Sequence, residues 1–138
     1  MTLKAIPLLT LALILYNIIV LFTGSGTADD ILNGEIFQLT MASSGVWKFT
    51  VGYLLVFLAL VLLGVEVIKA TYTRGSGLAD QAFSMIIFVI FIVEFLLIEK
   101  AATSVFFLMT IMSLIDIIAG SIIGIRTARR DIGFGNNE

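Results

Sequence analysis

Four apolar runs, Ala5–Thr23, Phe49–Ala70, Ala82–Ile98 and Ala101–Ile125, fill most of the chain, and short polar segments separate them. Each approaches the roughly 20 residues, at about 1.5 Å rise, that a helix needs to cross about 30 Å of hydrocarbon. With their flanking residues they predict helices at about 5–23, 49–70, 80–99 and 102–126. A loop at 24–48 and a tail at 127–138 complete a single integral membrane domain covering 1–138. The expected fold class is therefore an all-α membrane protein, an antiparallel bundle of four transmembrane helices. Lys4 ahead of the first run raises the alternative of a cleaved leader. That run, about 19 residues long, exceeds the roughly 7–15 of a leader's apolar region, and no clear A-x-A site follows. A retained helix is expected.

The loop at 24–48 is the one inter-run segment long enough for structure of its own. Gly24-Ser25-Gly26 and Asn33-Gly34 punctuate it. Polar and apolar positions alternate over Glu35–Met41 and again over Val46–Thr50, with Ser43-Ser44-Gly45 between them as a turn. Two readings stand: a short β-hairpin capping the helices, or an irregular loop with Trp47 anchored at the lipid headgroups. Gly75-Ser76-Gly77 turns the chain between the second and third runs, and Asp80 suits the positive end of the helix that follows. The turn near Glu99–Thr103 is so short that the last two helices must be antiparallel neighbours. The tail after Ile125 is polar and glycine-containing, and mobility is expected of it.

Composition reinforces the class. Hydrophobic residues make up 59% of the chain and charged residues 13%, about half the charged share of an ordinary soluble domain. A soluble protein of this size buries too small a fraction of its surface to hide so much apolar area. The net charge of −2 lacks the basic field a nucleic-acid partner requires. The absence of cysteine removes disulfides, thiolate nucleophiles and Cys-ligated metal. The absence of histidine removes the usual general base, the usual haem ligands and most zinc or copper sites, so no cofactor or metal is expected.

Charge also sets orientation. With the N-terminus inside, Lys4, Lys69, Arg74, Arg126, Arg129 and Arg130 are cytoplasmic, and only Lys48 and Lys100 are outside. This bias predicts a multi-pass protein with both termini in the cytoplasm.

Ionisable residues inside hydrocarbon cost about 2.5–3.5 kcal/mol near a helix centre on insertion scales, which makes each a functional candidate. Glu66, Glu94 and Asp116 qualify, with Asn17 as a neutral companion. Counting along the helices puts Asn17 and Glu94 about 10 Å below the outer face, and Glu66 and Asp116 about 20 Å below it. Two polar layers follow, one joining the first and third helices and one joining the second and fourth. Asp116, Gly120 and Gly124 share one stripe of the fourth helix, where Gly120-Ser-Ile-Ile-Gly124 is a GxxxG pattern that permits close helix approach. Gly52, Ala59 and Glu66 share a stripe of the second helix. These faces pack on each other or on another subunit. Each acid also has a structural reading. Glu66 can pair with Lys69, whose stem snorkels to the inner interface. Glu94 can sit neutral in lipid and hydrogen-bond Asn17 or Thr110, while Asp116 is the deepest and least compensated.

Enzymatic chemistry is not expected. Intramembrane aspartyl proteolysis needs two membrane aspartates and only Asp116 qualifies, while serine or metal hydrolysis lacks a base or ligands. Small multidrug transporters have four helices but carry their key glutamate on the first, where this chain offers only Thr10 and Asn17. Two classes remain. One is an accessory or structural membrane component acting through helix contacts in lipid, as a homo-oligomer or within a larger complex. The other is a proton- or ion-coupled transporter or channel subunit using the intramembrane acids.

The segments 44–52, 65–71, 93–104, 113–120 and 126–133 resemble small four-helix inner-membrane proteins of alphaproteobacteria. The resemblance covers most of the chain. It implies a bacterial cytoplasmic membrane and a pattern that includes Glu66, Glu94 and Asp116, and it brings no activity with it.

Overall fold

A computed structural model of the chain describes residues 6–23, 26–72 and 78–135. Lys4, Gly24-Ser25, Arg74 and the Gly75-Ser76-Gly77 turn lie outside the described residues, as does the end of the tail, 136–138. The elements run α1 (Leu9–Leu21), α2 (Ala28–Leu32), β1 (Glu35–Thr40), β2 (Val46–Thr50), α3 (Val51–Tyr72), α4 (Leu78–Leu97), a single 3-10 turn (Glu99–Ala101) and α5 (Ser104–Gly135). Helices α3 and α4, and α5 as far as Arg130, are each long and apolar enough to cross a membrane.

Helix α1 departs from the expected 5–23. Its 13 residues span about 20 Å, short of the roughly 30 Å of hydrocarbon. Pro7 accounts for the late start, since it disfavours helical backbone in the residue before it. The helix opens instead on tight i→i+3 bonds, Thr10 N to Pro7 O and Leu11 N to Leu8 O, both at 3.0 Å. The expected span at 80–99 forms at Leu78–Leu97, with Asp80 in its first turn. The last helix also differs from expectation. Instead of ending near Ile125 in a mobile tail, α5 continues through Arg126, Arg129 and Arg130 to Gly135. Arginine and alanine are good helix formers, and they carry it on. At 32 residues it is about 48 Å long and outreaches its neighbours.

The segment before α3 contains the hairpin and also α2, which the sequence reading did not anticipate. Thr27 and Asp30 form a capping box: Asp30 N donates to Thr27 Oγ1 at 3.2 Å and Thr27 N to Asp30 Oδ2 at 3.2 Å. Strands β1 and β2 are antiparallel, pairing Phe37 with Phe49, Gln38 with Lys48, Leu39 with Trp47 and Thr40 with Val46, with a register shift between Glu35 and Phe37. In the turn, Met41 N bonds Gly45 O at 2.8 Å and Ser44 N bonds Met41 O at 2.9 Å. The left-handed residue there is Ser44, at φ 66°. Strand β2 passes directly into α3, whose Tyr53 N is capped by Thr50 Oγ1 at 3.3 Å.

The core lies where α1, α3 and α5 meet. From α1 it takes Leu9, Ala12, Leu13, Tyr16 and Val20, and from α3 it takes Leu55, Ala59 and Leu63. These follow the three- and four-residue spacing of one helical face. Phe106 of α5 joins them, with its ring 4.8 Å from Tyr16 and 5.4 Å from Phe91. Gly52 lets α3 approach closely, because a Cβ there would stand 2.9 Å from Val105 Cγ2 and 3.2 Å from Leu32 O. Phe91 is the one fully buried residue among the described residues of α4; Ile87 and Phe95 pack partly buried against the core, and many of its other apolar residues are exposed.

Candidate functional site

The polar residues of the helices gather at two levels. The first lies toward the hairpin. Asn17 projects from α1 and donates through Nδ2 to Glu94 Oε1 of α4 at 3.0 Å. Thr110, the other candidate partner, instead donates back to Phe106 O of its own helix at 2.9 Å. The acid–amide pair leaves one acceptor on each side. Asn17 Oδ1 and Glu94 Oε2 are buried without a hydrogen-bond partner, as is the Thr10 hydroxyl two turns down α1. Buried oxygens in this condition are costly.

Beside this pair runs a chain of hydrogen bonds that the sequence reading did not identify. Buried Tyr16 donates to Lys100 O at 2.8 Å, and its hydroxyl lies 2.8 Å from Thr103 Oγ1. Thr103 accepts from Phe106 N at 3.2 Å and so caps α5. The consistent sense is Phe106 N–H to Thr103, Thr103 O–H to Tyr16, and Tyr16 O–H to the Lys100 carbonyl, a series in which each bond polarises the next. It ties α1 to the turn between α4 and α5.

The second level lies toward the opposite ends of the helices. Glu66 Oε2 accepts from the backbone N–H of Leu8 at 3.3 Å, so that α3 braces the start of α1. Its other oxygen lies 3.7 Å from Lys69 Nζ. Asp116 of α5 is buried. Ser84 of α4, Glu66 and Lys69 are its electrostatic neighbours. One turn further, Gln81 Nε2 donates to Ser121 Oγ at 2.9 Å and to Ile117 O at 3.2 Å. Gly120 faces this amide, and a Cβ on Gly120 would stand 3.1 Å from Gln81 Oε1. Gly124, expected to pack with it, has no atom within 4 Å of the Cβ position. Among the described residues the close approach on this stripe is therefore made at Gly120 and not at Gly124.

Tyr16, Thr103, Ser84 and Gln81 are the residues that sequence reasoning missed. A signal for two of them existed. In a helical hairpin, residues at equal distances from a tight turn share a level, and Gln81 with Ser121, like Ser84 with Asp116, stand at nearly equal distances from Glu99–Ala101.

At the hairpin end, an open groove of about 690 Å³ separates β2 from the starts of α3 and α5, with Asp29, Asn33, Lys48, Tyr53 and Ser104 among its lining residues. Lys48 is held across the sheet by Glu35 at 3.6 Å. Trp47, the expected interface anchor, is 44% exposed. Among the described residues no three His, Cys, Asp or Glu side chains converge as metal ligands would. Comparison with family models, with curated proteins and with solved structures finds no match to this chain.

Proposed function

We propose that this chain is a non-enzymatic component of a bacterial cytoplasmic membrane. In this reading it crosses four times with both termini in the cytoplasm, and it acts through helix contacts as a homo-oligomer or within a larger complex. The observation that carries the reading is how two of the membrane acids are engaged: Glu66 by Leu8 N and Glu94 by Asn17. These two contacts tie α1 to α3 and to α4, while Lys69 pairs with Glu66 within α3. Acids engaged in this way fasten helices together, and in hydrocarbon such bonds supply much of the specificity of packing. The apolar surface that α4 turns outward, with only 6% of its most apolar stretch buried, supports contact with lipid and with other helices. Helix α1, too short to cross alone, would span together with the described residues that flank it, 6–8 and 22–23. Isolation in native lipid followed by mass spectrometry tests the proposal. A defined oligomer or a reproducible partner is expected, and a lone monomer would refute it.

One observation favours a second reading, a proton- or ion-coupled transport subunit: the unpartnered oxygens of Asn17 and Glu94, with the Thr10 hydroxyl on the same side of α1. Flux into liposomes that is abolished by Glu94→Gln or Asp116→Asn would select it. No flux in the unmodified protein would eliminate it.

A further inference from the structure

The hairpin is two-faced. Phe37, Leu39, Trp47 and Phe49 stand on one side, paired directly across the strands. Phe37 and Phe49 stack at 4.9 Å, and Trp47 meets both edge-on at 6.0 and 5.6 Å. Gln38, Thr40, Val46 and Lys48 stand on the other side; Val46, Lys48 and Thr50 line the groove over the helix ends, and Trp47 reaches its edge. Yet Phe37, Leu39 and Trp47 remain 46%, 50% and 44% exposed. A two-stranded hairpin is marginal in water, so one with an uncovered aromatic face requires an apolar neighbour.

We propose that this neighbour is the bilayer itself: the hairpin lies over onto the membrane surface and sinks its aromatic face to the boundary between headgroups and acyl chains. The proposal rests on the membrane reading above and adds to it a specific lipid-contacting surface. Three observations select lipid. First, the hairpin is continuous with a span, because β2 ends at Thr50 and α3 begins at Val51. The 22 residues of α3 cover about 33 Å, the thickness of the hydrocarbon, which leaves its first residue and the strand before it at headgroup depth. Second, Tyr53 and Phe57 are exposed in the first two turns of α3, next to the hairpin in the chain, and aromatic residues at the end of a span mark the membrane–water interface. Third, three half-exposed side chains and the partly covered Phe49 present only about 300–400 Å², well under the roughly 800 Å² per partner of a stable protein interface.

Trp47 is the chain's single tryptophan, so its fluorescence reads the hairpin without ambiguity. The full-length protein is reconstituted into liposomes whose lipids carry bromine either near the glycerol or near the chain ends, and iodide is added in separate samples. The expected result is blue-shifted emission, strong loss of intensity with shallow bromine, little loss with deep bromine, and shielding from iodide at every protein-to-lipid ratio. A second reporter, Thr40→Trp combined with Trp47→Phe, sits on the polar face and is expected to show the opposite, quenching by iodide and indifference to bromine. Quenching of Trp47 by iodide without any bromine effect would overturn the proposal by placing the hairpin in water. Shielding from both quenchers, or bromine quenching that fades as protein is concentrated in the bilayer, would overturn it in favour of a protein partner or a second copy. A chain that does not float with liposomes would overturn the membrane reading itself, an outcome distinct from these.

Discussion

The hydrogen bond between Asn17 and Glu94 joins helices that lie 77 positions apart in the chain, at 3.0 Å. Helix α1 is short, and its other polar ties are the Tyr16 chain and the Leu8 N–H. Cutting this bond should therefore loosen α1 specifically. Coupling between hydrogen-bonded side chains in membrane proteins averages about 0.6 kcal/mol and reaches about 1.7. A double-mutant cycle of Asn17→Ala and Glu94→Ala is expected to return a coupling in that range, toward its upper end because the pair is largely shielded from solvent. Asn17→Ala alone should be the costlier substitution, since it strands a carboxyl in apolar surroundings where burial without a partner costs several kcal/mol. Glu94→Gln keeps the acceptor and adds a donor for the orphaned Asn17 Oδ1, so it should leave stability unchanged or raise it. The assay is reversible unfolding in mixed micelles on titration with a denaturing detergent, followed by helix content. Strictly additive single effects, or a Glu94→Gln as damaging as Glu94→Ala, would refute the pairing.

Other consequences can be checked with the same titration or by local probes. Tyr16→Phe removes the middle link of the chain from Phe106 to Lys100 and should cost about 1–2 kcal/mol; an unchanged midpoint would count against it. Gly52→Ala drives a Cβ to 2.9 Å from Val105 Cγ2 and should cost about 1–3 kcal/mol by overpacking. Gly124→Ala meets nothing within 4 Å and should stay within about 0.5 kcal/mol. Should Gly124→Ala nevertheless abolish an oligomer detected by crosslinking, that glycine contacts another chain. Hydrogen bonds from the Thr27 side chain and then its backbone hold the exposed Asp30 carboxyl below its usual range. An acid depressed in the folded state contributes stability above its unfolded value and loses it as the pH falls through the folded one. The α2 cap should therefore open only on acidification below the ordinary aspartate value of about 3.9. Hydrogen exchange at the Asp30 amide reads this, and Asp30→Asn should abolish the pH dependence.

The three long apolar helices and the hairpin were legible in the sequence because each depends on a local pattern. Runs of apolar residues of helical length identify α3, α4 and α5, and polar–apolar alternation identifies β1 and β2 almost to the residue. The fixed rise of a helix made depth readable as well, which is why Asn17 and Glu94 could be placed on one level before any contact was seen. Pro7 was equally visible, and overlooking it placed the start of α1 too early. Rotation about each helix axis was not legible. In a membrane helix apolar residues can occupy every face, so periodicity does not say which side meets a neighbour. Only packing decided that Tyr16 turns toward Thr103, that Gln81 rather than Gly124 meets Gly120, and that Asp116 faces Ser84. The sequence alone therefore located the long apolar helices and the relative level of Asn17 and Glu94 along them, but not the short α2, because length and hydropathy are properties of one segment at a time. The tertiary structure decided which groups touch, because a hydrogen bond between two helices requires both to be turned correctly, and neither segment carries that information by itself.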